Sequence, residues 1–205
     1  MLIKILVVGM MQNNCYVVTD EATMKCVIID PGAESGTILD YIESNKLKPE
    51  AIFITHGHFD HSMALDAVLD VVNIPVYINK KEISRSGERE RHSIDENKNM
   101  KYCKDGDVIT IGNLDFLIID TPGHSPGSIT IKCNDALFTG DTLFAGDCGR
   151  TDLEGGCRDT ILKSLKRLAA LDGDYEVYPG HEDSSTLDFE RANNLDMRIA
   201  TGDIT

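Results

Sequence analysis

The sequence predicts an α/β sandwich, two β-sheets packed face to face with helices on the outside. Three observations carry this expectation. Short apolar runs bounded by turn residues come in groups in both halves of the chain. Amphipathic helical stretches fall between and after those groups instead of following every strand, as they would in a regular βαβ series. The 205 residues contain no low-complexity tract or linker, so a single domain over 1–205 with one substantial core is expected.

In chain order, "LIKILVV" (2–8), "CYVVTD" (15–20) and "KCVIID" (25–30) read as a three-stranded meander, closed by the "DPG" turn at 30–32. Ile38, Leu39, Ile42 and Leu47 recur at helical spacing over 34–46. "AIFI" (51–54) reads as a strand, "HSMALDAVLDVV" (61–72) as an amphipathic helix and "PVYI" (75–78) as a strand. Residues 84–107 are charged and almost without apolar period, so they read as a long loop, a lid or a poorly ordered insertion. "VITI" (108–111), "LDFLIID" (114–120), "SITIKC" (128–133) and "DALFTG" (135–140) read as four further strands. A helix over 158–171, a short strand in "YEVYPG" (175–180) and a last helix over 185–198 complete the chain.

Composition narrows the function classes. A net charge of −14 repels phosphate backbones and anionic membrane surfaces, so neither nucleic acid nor a membrane is an expected partner. The apolar start is short and interrupted by Lys4, with no small-residue cleavage site after it, which reads as a strand and not a signal peptide. No stretch approaches the ~20 apolar residues of a membrane helix. Cys15, Cys26, Cys103, Cys133, Cys148 and Cys157 form no Cys-x-x-Cys pair, so reduced thiols in a cytoplasmic protein are expected.

Histidine is scarce, with six in the chain, yet "THGHFDH" (55–61) holds three of them. The same pattern recurs at other strand ends. "LDFLIID" runs into "TPGH", "DALFTG" into Asp141 and "YEVYPG" into His181, each through a turn marked by glycine or proline. Loops at strand ends are where a rigid sheet presents functional side chains. His56, His58, His61, His124 and His181, with Asp60 and Asp141, are therefore candidate metal ligands, and only His92 lies elsewhere. Residues two apart in extended backbone point the same way. His56, His58 and Asp60 can thus face one side while His61 swings to another, and the run can serve two neighbouring metal positions. Seven ligands exceed the needs of one zinc and suit two ions about 3.5–4 Å apart, one carboxylate bridging. Imidazole and carboxylate without thiolate fit zinc, iron or manganese.

"THGHFDH", "TPGHSPGS", "GDTLF" and "PGHE", in this order, resemble the metallo-β-lactamase superfamily and, within it, the glyoxalase II-like hydrolases. The resemblance spans nearly the whole chain. It implies a four-layer αββα sandwich of two mixed sheets with the metals at one edge. It implies that His56, His58 and His124 hold a first metal and that Asp60, His61 and His181 hold a second, with Asp141 bridging. Two divalent ions, foremost Zn2+, are implied as cofactors, with a bridging hydroxide supported by Asp60 and Asp141 attacking the carbonyl of a small-molecule substrate. A thiolate, with a parent pKa of about 8.5, leaves without an acid, so thioester hydrolysis is the chemistry such a site supports most easily.

The chain departs from the glyoxalase II pattern in several places. It ends soon after His181, so most of the family's C-terminal helical extension is expected to be missing. Arg150 keeps a cation, but Thr151 and Asp152 stand where two aromatic residues are usual, and Asp183 follows Glu182 where a tyrosine is usual. Glutathione is therefore not fixed as the thiol. Arg150 is either a clamp for a substrate carboxylate or a surface ion-pair residue. Asp30 either orients a ligand histidine from behind or simply ends a strand. Cys148 reads as a small packed side chain. The "GRTD" stretch at 149–152 also resembles mononuclear-iron persulfide dioxygenases of the same fold, and a lactonase is a further reading. A non-catalytic domain is disfavoured because every ligand position is filled. The oligomeric state is not legible.

Overall fold

The computed structural model describes residues 1–83 and 94–204. Strands β1 (Leu2–Val8), β2 (Asn13–Asp20), β3 (Lys25–Ile29), β4 (Lys48–Phe53), β5 (Val76–Asn79) and β6 (Met100–Cys103) form one sheet in that order. Strands β7 (Val108–Ile111), β8 (Leu114–Asp120), β9 (Ile129–Cys133), β10 (Ala136–Gly140), β11 (Glu176–Pro179) and β12 (Ser185–Thr186) form the other, again in sequential order. Both sheets are mixed. The hairpin-linked neighbours pair antiparallel, and β3–β4, β4–β5, β5–β6 and β10–β11 pair parallel. Three of those parallel pairs are separated by α-helices: β3–β4 by α1 (Ser35–Ser44), β4–β5 by α2 (Phe59–Ser62) and α3 (Leu65–Val72), and β10–β11 by α4 (Arg158–Ala169). A parallel step requires a crossover, and the helix supplies it.

Alternation along the strands builds the layers. On β3, Val27 and Ile29 face the second sheet and pack with Phe53, Phe116, Ile131 and Phe138. Cys26 and Ile28 point the other way, onto Ile38 and Ile42 of α1 and Leu65 and Val68 of α3. On the far side, Ile119, Leu137 and Val177 pack against Ile161, Leu165 and Leu168 of α4. The result is helix, sheet, sheet, helix, as expected. All six cysteines are free thiols. No helix among the described residues is long and apolar enough to cross a membrane.

Three expectations are corrected. The 84–107 stretch is not all loop, because Met100–Cys103 forms β6, which pairs parallel with β5. Its edge position leaves Lys101 and Tyr102 exposed, which removes the alternating signal. Residues 84–93 lie outside the described set. The helix expected over 61–72 breaks after Ser62, where the Ala64 amide donates to the Pro31 carbonyl at 3.0 Å, tying the chain to the turn after β3. The helix expected over 185–198 is β12 followed by α5 (Leu187–Asn193) and α6 (Leu195–Thr201). Asn194 divides the two helices. Its side-chain oxygen caps α6 by accepting from the Met197 amide at 3.1 Å, and its amide donates to Glu190 at 2.8 Å, bonds that compete with continuing the helix.

Candidate metal centre

Every candidate ligand leaves the C-terminal end of a strand. β4 leads into Thr55–His61, β8 into His124, β10 into Asp141 and β11 into His181, while Asp30 directly follows β3. β3 and β4 run parallel, and β8 and β10 share a direction because each is antiparallel to β9. One edge of the sandwich therefore receives all these turns, the position where open α/β sheets bind ligands.

The seven candidates converge there. His56, His58 and His124 each offer a ring nitrogen within 4.8 Å of the others, and so do the ligand atoms of Asp60, His61 and His181. Asp141 lies between the two groups, Oδ1 3.3 Å from His61 Nε2 and Oδ2 3.4 Å from His124 Nε2 and 3.7 Å from His181 Nε2. His58 Nδ1 and His124 Nε2 are 2.9 Å apart, and His61 Nε2 and His181 Nε2 are 3.3 Å apart. Ring nitrogens this close together are within reach of one ion.

The rings are aimed from behind. His61 Nδ1–H donates to Asp30 Oδ2 at 2.9 Å, His124 Nδ1–H to the Arg150 carbonyl at 2.8 Å and His181 Nδ1–H to the Met11 carbonyl at 3.0 Å. Thr55 Oγ1 donates to Asp30 Oδ2 at 2.6 Å and so accepts from His56 Nδ1–H at 3.1 Å. Each partner fixes a tautomer whose Nε2 lone pair faces the centre. His56 Nε2 is buried with no hydrogen-bond partner. A buried imidazole nitrogen in that condition is costly unless an ion takes its lone pair, so the donor set fits a divalent metal.

Electrostatics point the same way. Burial, reinforced by the neighbouring imidazoles, pushes the His56 pKa well below its ordinary value, and burial also lowers that of His124. Both rings are held neutral, the ligand form. Burial of Asp141 works against its charge, but His61 and the other histidines hold its carboxyl well below the usual carboxylate range.

Glycines allow the close approach. A Cβ on Gly180 would sit 2.3 Å from Asp141 Oδ1 and 2.6 Å from His61 Cε1, and one on Gly32 would sit 1.7 Å from the Asp60 carbonyl oxygen.

Two residues act here without having been expected to. Glu82, 1% exposed, closes a single 3-10 turn (Lys80–Glu82) and accepts from the Gly57 amide at 2.6 Å, the Gly127 amide at 2.5 Å and Ser125 Oγ at 2.9 Å. It ties the His56–His58 loop to the loop that follows His124. Asn14 donates to the carbonyls of Pro179 and Glu182 at 3.1 and 2.9 Å, bracketing His181. Asp30 sits where a ligand-orienting residue would. The Arg150 guanidinium is exposed and engaged by Asp152 at 2.7 Å through two bonds, while its carbonyl is what serves His124. Cys148 is buried between Asp196 and Arg158, and burial pushes its thiol up to about 12, as for a packed side chain.

The centre lies at the bottom of a cavity of about 550 Å3 whose walls include Phe59, Phe144, Asp147, Arg150 and Leu153. The model of the metallo-beta-lactamase superfamily matches residues 8–181. The chain belongs to that superfamily. Its relatives include the probable metallo-hydrolase YqgX of Bacillus subtilis, 37% identical over 91% of this chain and 93% of that one. A hydroxyacylglutathione hydrolase of Bdellovibrio bacteriovorus is 33% identical over 93% of this chain and 72% of that one. Among solved structures, the BLEG-1 B3 metallo-beta-lactamase superposes with a TM-score of 0.85 at 33% identity, covering 96% of this chain and 99% of that one.

Proposed function

We propose that the chain is a dinuclear metal-dependent hydrolase of a small thioester. The observation that carries this reading is the pair of ligand triads meeting at Asp141, each backed by residues that fix its tautomers. His56, His58 and His124 would hold one ion, Asp60, His61 and His181 the other, with Asp141 between. When bound, two such ions lower the pKa of a shared water towards about 7 and polarise the carbonyl it attacks. The protein's own part is orientation. Asp30, Thr55 and the carbonyls of Met11 and Arg150 keep four imidazoles in register, and Asp60 and Asp141 supply the negative charge that offsets two cations. In the overall reaction the acyl carbon gains the water oxygen, the C–S bond breaks, and acid and thiol are released. A thiolate leaves without a proton donor. This suits a cavity whose one thiol, Cys148, has a pKa pushed up to about 12 and is a poor acid.

The test begins with elemental metal content of protein purified without added metal, followed by a panel of acyl thioesters, a lactone and a chromogenic cephalosporin. About two zinc, iron or manganese ions per chain and turnover of thioesters above the other classes are expected. One tightly held iron per chain with oxygen uptake on a persulfide would replace this reading with the dioxygenase suggested by "GRTD" at 149–152.

A further inference from the structure

The metal cleft does not end at its ligands. Beside Phe59 and Asp60 lies a second cavity of about 250 Å3 walled by Val8, Met10, Met11, Ala33, Phe59 and Met63. The two cavities share Met11, Phe59 and Asp60 as lining, so the second is an apolar trough that adjoins the metal centre. Four large apolar side chains stand in water here. Met10 is 101% exposed, Met11 58%, Met63 55% and Phe59 39%. Apolar surface gathered at one place on a protein marks a binding site more often than scattered apolar residues do, and methionine adapts its shape to a flexible chain. The wall is also held in place relative to the ligands. The β1–β2 turn is tied down by the Gly9 amide donating to Glu34 at 3.0 Å and by the Met11 carbonyl accepting from His181 at 3.0 Å. The lining of the metal cleft itself is different in kind, with the charged Asp147, Arg150 and Glu182. A substrate lying across the centre would place its polar part among those charges and an apolar part along the trough. Small thiol carriers are polar, so the apolar part is the acyl group.

We propose that the trough beside Phe59 and Asp60 binds the acyl chain of the substrate, and that the preferred substrates are thioesters of unbranched aliphatic acids joined to a polar thiol. This rests on the hydrolase reading above and names its substrate class.

The experiment measures kcat/KM of the metal-loaded protein on acetyl, butanoyl, hexanoyl and octanoyl thioesters of N-acetylcysteamine, with calorimetric titration of acetate and octanoate alongside. Each methylene buried is worth about fourfold. Specificity should therefore rise on the order of 10²-fold from acetyl to hexanoyl and then level off. The slope against chain length should fall by half or more in Met63→Ser and in Met10→Ser, the second chosen because a fully exposed turn residue does not threaten folding. Val71→Ser, on the exposed face of α3, should keep the slope. Octanoate should bind at least tenfold more tightly than acetate, and Met63→Ser should abolish the difference. A flat profile with active hydrolysis overturns the trough and leaves the hydrolase standing. A length dependence found only when the alkyl chain is on the thiol overturns the acyl assignment. If no thioester is hydrolysed, the hydrolase reading fails and calorimetry decides alone, with equal binding of the two acids overturning the trough. Dimers that Met10→Ser converts to monomers, together with equal acid binding, would assign the surface to a second copy of the chain and overturn the proposal.

Discussion

Replacing Glu82 by glutamine changes one atom, and the structure sets what that atom does. The carboxylate accepts from three donors, Oε2 from the Gly57 amide and Oε1 from the Gly127 amide and Ser125 Oγ. An amide keeps one oxygen. In its better orientation it preserves the pair at Gly127 and Ser125 and turns an NH2 group towards the Gly57 N–H. A hydrogen bond to a charged acceptor contributes about 1.5–3 kcal/mol. Part of that loss is offset, because burial penalises the carboxylate and raises its pKa, a penalty glutamine does not carry. The expected net loss is about 1–2 kcal/mol, which lowers Tm by roughly 2–8 °C for a chain of this size. Gly57 lies between His56 and His58, and Ser125 follows His124, so the same change should weaken metal binding about 10–100-fold, the usual cost of losing a partner behind a ligand. Thermal melts with and without chelator, and zinc affinity by competition with a chromophoric chelator, measure the two effects separately. A variant that melts lower but binds zinc with unchanged affinity would refute the claim that Glu82 positions the ligand loops.

Gly180→Ala should lose more than half of the bound metal while keeping its far-ultraviolet dichroism, because the new Cβ would stand 2.3 Å from Asp141 Oδ1; full metal content would mean the turn yields more easily than its packing implies. The metal-free protein should be most stable near pH 6.5. Burial opposes charge on His61 and His181, but the carboxylates of Asp141, Asp30 and Asp60 outweigh it and raise both pKa values, so the stabilisation is complete below 6.5 and is lost as pH rises through the folded values. His56 and His124 have lowered values, so their contribution is lost as pH falls below 6.5. With metal bound, stability should instead increase above pH 6.5, since ligands must be deprotonated. Melts between pH 5 and 9 with and without chelator check both, and a metal-free Tm that climbs steadily through this range would refute the assignment.

The layers were legible because the two inner faces and the two helix faces each left an alternating or helical apolar period, as in "KCVIID" and "RDTILKSLKRLAAL". The ligand set was legible for a different reason. Histidine is rare in this chain, so its recurrence after strands stands out, and the spacing in "THGHFDH" carries geometry. What supports the ligands was less visible. Glu82 sits in "INKKEIS", which reads as a solvated turn, and only the folding of Gly57 and Gly127 around it turns a surface-like glutamate into a buried acceptor. Main-chain carbonyls at Met11 and Arg150 orient two histidines, and a carbonyl leaves no trace in the residue type. For Arg150 the sequence leaves a substrate clamp and a surface ion pair open; in the structure its side chain pairs with Asp152, and its carbonyl, which the residue type does not mark, orients His124. The break at Asn194 was missed because a capping asparagine inside an otherwise helical pattern looks like a tolerated polar residue.

Asp30 has a consequence for how the two triads fill. It holds a left-handed backbone conformation, φ 51°, and its carboxylate accepts from the Thr55 amide, the Thr55 hydroxyl and His61. It bonds His61 directly and reaches His56 through Thr55, and the proposed function places those histidines in different triads. The same carboxylate oxygen that holds His61 also holds the hydroxyl that aims His56. The two sites then cannot be independent. Any change that filling one triad makes to the affinity of the other is returned by the same factor, because coupling free energy is reciprocal. Severing the link at Thr55 should therefore change the metal affinity of both triads without removing a ligand.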